Sequence, residues 1–318
     1  MSPPSLIDTP PPLAGAAPVA LSYELFPPRS AAAAESLWNT IGELEATSPD
    51  YVSVTYGANG SNRGTAVELV RRLVQETTLR PLAHLTCVGN TPAELADIIG
   101  ELLDAGVRGI LALRGDRPEG GPAVDGSLRY AQDLIELIRR VEQRRSALLC
   151  AGKVAVGVAA YPTRHPESPS EAHDVEVLLA KQRSGADFAI TQVFFRTEQY
   201  AELVARARRA GVTIPIIPGV MPLTSVRRLT RLGELTGVEP APELIDRLAA
   251  AATDAERNRI GVAATVDLAN AALDAGAPGL HLYTFNEHAS ALEVLDKLAL
   301  PRPARSGHRP AAGRRLAS

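Results

Sequence analysis

The sequence predicts an α/β protein, a closed (β/α)8 or TIM barrel with an extra helix before the last strand. Three observations predict it. Short β-rich runs alternate strictly with helix-period segments, the runs are nearly continuous apolar stretches, and there are eight of them. Strands of that kind are buried on both faces, as in a parallel sheet covered by helices. Eight consecutive strand and helix units favour ring closure over an open doubly wound sheet. A length of 318 residues suits one such unit with short extensions, since these barrels take about 250 residues.

In order, the first strand is Ala20 to Leu25, closed off by Pro27 and Pro28. A helical pattern over Ala31 to Leu44 leads to the second strand, Tyr51 to Thr55, and another over Ala66 to Val74 leads to the third, Leu82 to Leu85. Thr91, Pro92 and Glu94 then form a capping box with Pro at the first helical position. Leu95, Ile98, Ile99, Leu102 and Leu103 follow at helical spacing. The fourth strand is Gly109 to Leu113, and a helix over Leu128 to Val141 precedes the fifth, Val154 to Ala159. Asp174 to Arg183 leads to the sixth, Phe188 to Gln192, and Tyr200 to Arg209 to the seventh, Ile214 to Pro218. Two helices, Pro242 to Ala251 and Asp254 to Leu273, fit before the eighth, Leu280 to Tyr283. Gly106, Gly185, Gly211 and Gly276 stand where helices stop, as the left-handed residue of a C-cap does.

Residues 1–18 read as a flexible Pro-rich leader, 19–300 as the barrel, and 301–318 as a basic disordered tail with five Arg and no acid. The leader lacks the basic start and apolar core of a signal peptide. No apolar stretch is long enough to span a bilayer. A net charge of −3 gives no electrostatic reason to bind nucleic acid. Cys87 and Cys150 make neither a disulfide framework nor a metal spacing, which fits a reducing cytoplasm, and no metal is expected.

Chemistry is expected at the carboxyl ends of the strands, which converge on one mouth in a barrel. Glu24 ends the first strand, where an ionised carboxylate is costly to bury unless paired or protonated, so it is a general-acid candidate. At the other ends lie Thr55 and Tyr56, His84 and Thr86, Arg114 and Asp116, Tyr161 and His165, Gln192, and Tyr283 and Asn286. Each has a plain structural reading as well; His84 alone reads equally as a hydrogen-bonded core histidine. Together they favour a shared polar ligand. Arg114, Gly115 and Asp116 form the sharpest local feature, an Arg suited to phosphate, a Gly that admits close approach and an Asp that can stabilise a cation. No dinucleotide fingerprint follows the first strand, the Gly-rich stretch from Gly57 to Arg63 lacks a P-loop Lys, and no Ser sits in a nucleophile elbow.

These residues carry a resemblance. The segments Glu24-Leu-Phe-Pro-Pro-Arg29, Val52-Ser-Val-Thr-Tyr-Gly-Ala58, His84-Leu-Thr-Cys87, Leu111-Ala-Leu-Arg-Gly-Asp116, Val158-Ala-Ala-Tyr-Pro162, Ile190-Thr-Gln-Val-Phe-Phe195, Ile217-Pro-Gly219 and Tyr283-Thr284 closely resemble the methylenetetrahydrofolate reductase family. The resemblance spans about residues 20–300 and is to the bacterial members with one catalytic domain. It implies an FAD-dependent barrel that reduces 5,10-methylenetetrahydrofolate to 5-methyltetrahydrofolate with NADH or NADPH in a ping-pong reaction, supplying methyl groups for methionine synthesis. Glu24 matches the catalytic acid and Asp116 the anion beside flavin and pterin. Thr55, Asp116 and Gln192 match substrate contacts. Thr55, Tyr56, Ala58, His84, Arg114, Gly115, Asp116, Ala131, Tyr161, His165, Asp174 and Lys181 match cofactor contacts. Members form dimers or tetramers, so the resemblance leaves room for a homo-oligomer. Without the second domain of longer eukaryotic relatives, inhibition by S-adenosylmethionine is not expected.

The chain departs from the family pattern at Val177 and Ala180, where bacterial members carry Asn and Arg toward the cofactor, at Val226, often aromatic, and at Glu287, commonly Arg. These departures keep two alternatives in view: a flavin-free or differently specialised reductase on the same barrel, and a binding barrel without catalysis.

Overall fold

The computed structural model describes residues 19–55, 63–115, 127–145, 152–298 and 300. Nine parallel strand segments form one sheet: β1 (Ala20–Leu25), β2 (Tyr51–Val54), β3 (Pro81–Thr86), β4 (Gly109–Leu113), β5 (Ala155–Ala160), β6 (Phe188–Thr191), β7 (Ile216–Ile217), β8 (Gly219–Val220) and β9 (Gly279–Tyr283). Their order is β7-β6-β5-β4-β3-β2-β1-β9-β8. The two ends of that order, β7 and β8, are one stave broken at Pro218, so the sheet is a closed barrel of eight staves.

The break has a chemical cause. Ile216 and Ile217 pair with Ala189 and Ile190 of β6, whereas Gly219 and Val220 pair with His281 and Leu282 of β9. Pro218 has no N–H to continue a ladder, but its carbonyl accepts from the His281 N–H at 3.0 Å. Where the stave changes partner, side chains bridge the seam. The Tyr283 hydroxyl donates to the Thr191 carbonyl at 2.7 Å, and Thr191 Oγ1 accepts from the Gly219 N–H at 2.9 Å. The expected seventh strand, Ile214 to Pro218, is thus corrected to two short segments reaching Val220.

Only glycine fits at position 219. A Cβ there would stand 2.3 Å from the Thr191 carbonyl oxygen and 2.5 Å from the Tyr283 ring. Gly219→Ala is therefore expected to open the seam and cost at least the roughly 1–3 kcal/mol of an overpacked core. A chemical denaturation midpoint unchanged from wild type would contradict this account of closure.

Among the described residues the helices are α1 (Ala31–Ala46), α2 (Arg63–Glu76), α3 (Pro92–Asp104), α4 (Ala131–Arg144), α5 (Glu171–Arg183), α6 (Thr197–Arg209), α7 (Val226–Thr236), α8 (Pro242–Ala250), α9 (Asp254–Asp274) and α10 (Ala289–Lys297). The capping box at Thr91 and Glu94 forms, and the five apolar residues spaced behind it are all buried. Gly106, Gly185, Gly211 and Gly276 take positive φ. Three helices, not two, precede the last strand. The unexpected one, α7, has a single fully buried position, Leu229, on a surface rich in Arg. Val226, Leu229 and Leu232, at helical spacing, are its core-facing stripe, a periodicity that the sequence reading passed over.

Apolar side chains fill two spaces. Between sheet and helices lie Leu21, Tyr23, Leu25, Val52, Val54, Ile110, Ala112, Val156 and Val158 with the inner helix faces. Inside the barrel a smaller group, Tyr51, Leu82, Leu111, Ala155, Phe188, Ile190 and Ile217, packs by itself. Strand alternation produces this division: successive residues face opposite sides of the sheet. Among the described residues no helix is long and apolar enough to cross a membrane.

Candidate active site

Alternation fixes what stands in the barrel mouth. On β1, Leu21, Tyr23 and Leu25 face the helices, so Ser22 and Glu24 face the interior. Register places Glu24 between Ser53 of β2 and Tyr283 of β9, one layer above Ser22, Tyr51 and His281. Glu24 is 13% exposed, and its Oε2 lies 3.7 Å from Nε2 of His84, which is 7% exposed. Burial raises the Glu24 carboxyl from its ordinary 4.5 to about 8, so it carries a proton at neutral pH. Burial lowers the His84 imidazole to about 3, so it is neutral. Two buried groups that could have formed an ion pair instead remain an acid and a neutral ring.

The layer beneath is also polar. The Ser22 hydroxyl and His281 Nδ1 share a hydrogen bond of 2.8 Å, and burial, with His84 nearby, lowers His281 to about 3. The Tyr51 ring stacks on His281 at 6.2 Å, and Tyr283 meets His281 edge-on at 5.1 Å. Burial, then the Glu24 charge, holds the Tyr283 phenol well above its usual range.

The turn after β9 locks the turn after β1. Thr284 Oγ1 donates to the Glu24 carbonyl at 2.9 Å. The Asn286 amide accepts from the Phe26 N–H and donates to the Phe26 carbonyl, at 2.8 and 2.9 Å. Phe285 and Asn286 hold φ of 53° and 61°, a left-handed conformation uncommon outside glycine, and this aims the amide at Phe26 and stacks Phe285 on Phe26 at 5.9 Å. On the outer side of Phe285 lies the Arg228 guanidinium of α7, 4.6 Å from the ring and 3.1 Å from a Glu287 carboxylate oxygen. Glu287, where the family commonly has Arg, therefore faces an Arg supplied by another element.

A second polar cluster forms across β4, β5 and α5. Arg114, just past β4, pairs with Glu167 at 2.5 Å. Tyr161 and His165, past β5, meet edge-on at 4.7 Å, and the His165 N–H donates to Asp174 Oδ2 at 2.9 Å. Lys181 donates to the Ala159 carbonyl at 2.9 Å, and its ammonium lies 6.0 Å from the Tyr161 ring. Burial, opposed by Asp174 and assisted by Arg114, lowers Lys181 to about 8. Gly115 has φ of +83°, and a Cβ there would meet Thr86 at 3.0 Å. Ala131 is buried at the first position of α4.

Of the other expected site residues, Thr55 follows β2 and its N–H donates to the Leu25 carbonyl. Gln192 follows β6, its N–H donating to Ala160 and its amide oxygen accepting from the Val193 N–H at 2.8 Å. Both lie at carboxyl ends of staves. Tyr56, Ala58 and Asp116 lie outside the described residues, as do the leader, the tail and Cys150. Cys87 is buried, and burial chiefly raises its thiol to about 12. On α5, Val177 is 37% exposed and Ala180 half-buried, while Val226 opens α7 and packs on the core. Sequence reasoning missed Ser22, Tyr51, Ser53 and His281. Their signal was present, since they sit at even spacings from Glu24, Thr55 and Tyr283 and must share those faces.

A closed parallel barrel with a protonated acid in its mouth and a cluster of Arg, Lys and His beside it has the layout of a barrel enzyme with a phosphate-bearing ligand. The family model for methylenetetrahydrofolate reductase matches residues 13–299, and the chain belongs to that family. It is 34% identical over 267 residues to the 5,10-methylenetetrahydrofolate reductase of Escherichia coli (strain K12), covering 84% of this chain and 86% of that one. It is 33% identical over 267 residues to the enzyme of the same name from Pectobacterium carotovorum subsp. carotovorum, covering 84% and 85%. Among solved structures, an uncharacterized protein from Clostridium thermocellum that binds two copies of 5-methyl-5,6,7,8-tetrahydrofolic acid superposes with a TM-score of 0.56 at 15% identity. The match covers 87% of this chain and 92% of that one, a likeness of fold alone.

Proposed function

We propose that the protein reduces 5,10-methylenetetrahydrofolate to 5-methyltetrahydrofolate, using NADH or NADPH and bound FAD, with Glu24 as the general acid. The observation that carries this reading is the buried Glu24 carboxyl, protonated at neutral pH inside the mouth of the barrel. An acid of that strength can give a proton to a ring nitrogen at physiological pH, where an exposed glutamate would already be ionised. Proton transfer to the nitrogen lets the folate's five-membered ring open, leaving a cationic iminium carbon on the substrate. Asp116 is the anion assigned to stabilise that cation. Gln192 is assigned to contact nucleotide and folate in turn, which accords with a ping-pong sequence at one mouth.

The second cluster fits the cofactor. Arg114 and Lys181 are two cations set close together, His165 adds a further polar group, and Gly115 turns the chain beside them at positive φ. Such a set suits a pyrophosphate. Thr55, Tyr56, Ala58, His84, Arg114, Gly115, Asp116, Ala131, Tyr161, His165, Asp174 and Lys181 are the residues assigned to hold FAD. When bound, it would accept hydride from the nicotinamide and return it to the methylene carbon. The product is a methyl donor of the kind methionine synthesis consumes, and a cytoplasmic setting is part of the same reading.

Anaerobic stopped-flow tests this function. The purified protein is expected to be yellow, to bleach with NADH or NADPH, and to recolour when 5,10-methylenetetrahydrofolate is added. Bleaching without recolouring by the folate would refute the assigned substrate.

A further inference from the structure

Beside the acid lie polar groups to which the proton transfer proposed above assigns no part. The Nε2 atom of His84 is buried without a hydrogen-bond partner and faces Glu24 Oε2 at 3.7 Å. The Ser53 hydroxyl, beside Glu24 in register, is also buried without one. An unsatisfied buried polar atom costs about 1–3 kcal/mol, and two of them flank one carboxyl. A protonated carboxyl tolerates these surroundings, but the carboxylate left after proton transfer does not, because it needs donors once water is excluded.

The groups packed about Glu24 leave few ways to meet that need. The titratable ones among the described residues are His84 from β3, Tyr51 from β2, and His281 and Tyr283 from β9, with Tyr161 reaching toward Tyr283. The Tyr283 hydroxyl is committed to the Thr191 carbonyl and His281 Nδ1 to Ser22. The Tyr51 hydroxyl is also buried without a hydrogen-bond partner, but Tyr51 stands in register with Ser22, one layer below Glu24. His84 is neutral, so it can offer a hydrogen bond but not a counter-charge.

We infer that His84 is a positioning residue for Glu24, whose Nε2–H closes onto Oε2 when the acid has given up its proton and holds the resulting carboxylate. The inference rests on the reading of Glu24 as the acid. At 3.7 Å the pair stands just beyond the roughly 3.2 Å reach of a hydrogen bond, and a small side-chain rotation closes it. By favouring the ionised form, His84 keeps Glu24 a stronger acid than burial alone would allow.

The test compares His84→Gln, whose amide can place an N–H near the Nε2 position, with His84→Asn, whose shorter amide reaches only the Nδ1 position. The readout is the pH at which recolouring of the reduced enzyme by 5,10-methylenetetrahydrofolate falls to half as pH rises and Glu24 ionises. His84→Gln is expected to keep the wild-type midpoint. His84→Asn is expected to raise it by about one pH unit, a tenfold weaker acid. An unmoved or lowered midpoint in His84→Asn, or an equal rise in both variants, overturns the inference. If recolouring is too slow to titrate, the infrared carbonyl band of protonated Glu24, assigned by its loss in Glu24→Gln, reports the same midpoint. Undiminished recolouring in Glu24→Gln would instead remove the acid reading itself.

Discussion

Glu24→Gln is expected to lower reduction of 5,10-methylenetetrahydrofolate by about 10²–10⁴-fold, the range that a positioned general acid contributes. On the proposed reading, reduction of bound FAD by NADH or NADPH should persist, because hydride transfer from a nicotinamide requires no proton from this carboxyl. The substitution is close to isosteric and keeps a neutral group in a position that already holds a neutral one at pH 7. Separate rates for bleaching and recolouring distinguish the cases. Equal loss of both half-reactions would mean that Glu24 maintains the site rather than performing its chemistry.

The same substitution is expected to stabilise the fold, in a pH-dependent way. In the unfolded chain Glu24 titrates at about 4.5, and in the folded barrel at about 8. Between these values the folded state binds more protons than the unfolded one, so this residue's contribution falls as pH rises. It is neutral below 4.5, destabilising by at most roughly 3 kcal/mol at pH 7, and level above 8. Glu24→Gln removes that penalty, so the variant should match wild type near pH 4 and gain stability progressively toward pH 8. Denaturant midpoints measured across that range check it. A difference that does not vary with pH would mean that the carboxyl is ionised in the fold. Lost turnover with gained stability is the pattern of a group kept in an unfavourable site for its chemistry.

The layout of the candidate site among the described residues was partly legible because strand ends are legible. Glu24 precedes Pro27 and Pro28, Arg114 and Gly115 follow an apolar run, and Gln192 closes another, so one rule about barrel mouths gathers them. Ala131, Asp174 and Lys181 carry no such mark and came only from family resemblance. The meeting of Lys181 with Asp174, Arg114 and Tyr161 depends on how α5 packs on the sheet. The seam was hidden for a different reason. Pro218 looks like a strand terminator in sequence, yet here it passes one stave from β6 to β9 and the strand resumes at Gly219. Arg228 was unreadable because its partners, Phe285 and Glu287, lie almost sixty residues away in the chain, after the adjacent strand β9.

By itself, the sequence determined the strand and helix rhythm, the helix stops and the residues delivered to the mouth. Backbone repeats of 2.0 and 3.6 residues and the special needs of Gly and Pro are local properties. Tertiary structure alone decided that the barrel closes through a broken stave, that His84 faces Glu24 without neutralising it, and that Glu24 is buried deeply enough to keep its proton. Those outcomes depend on register between strands distant in the chain and on exclusion of water by the whole packed ring.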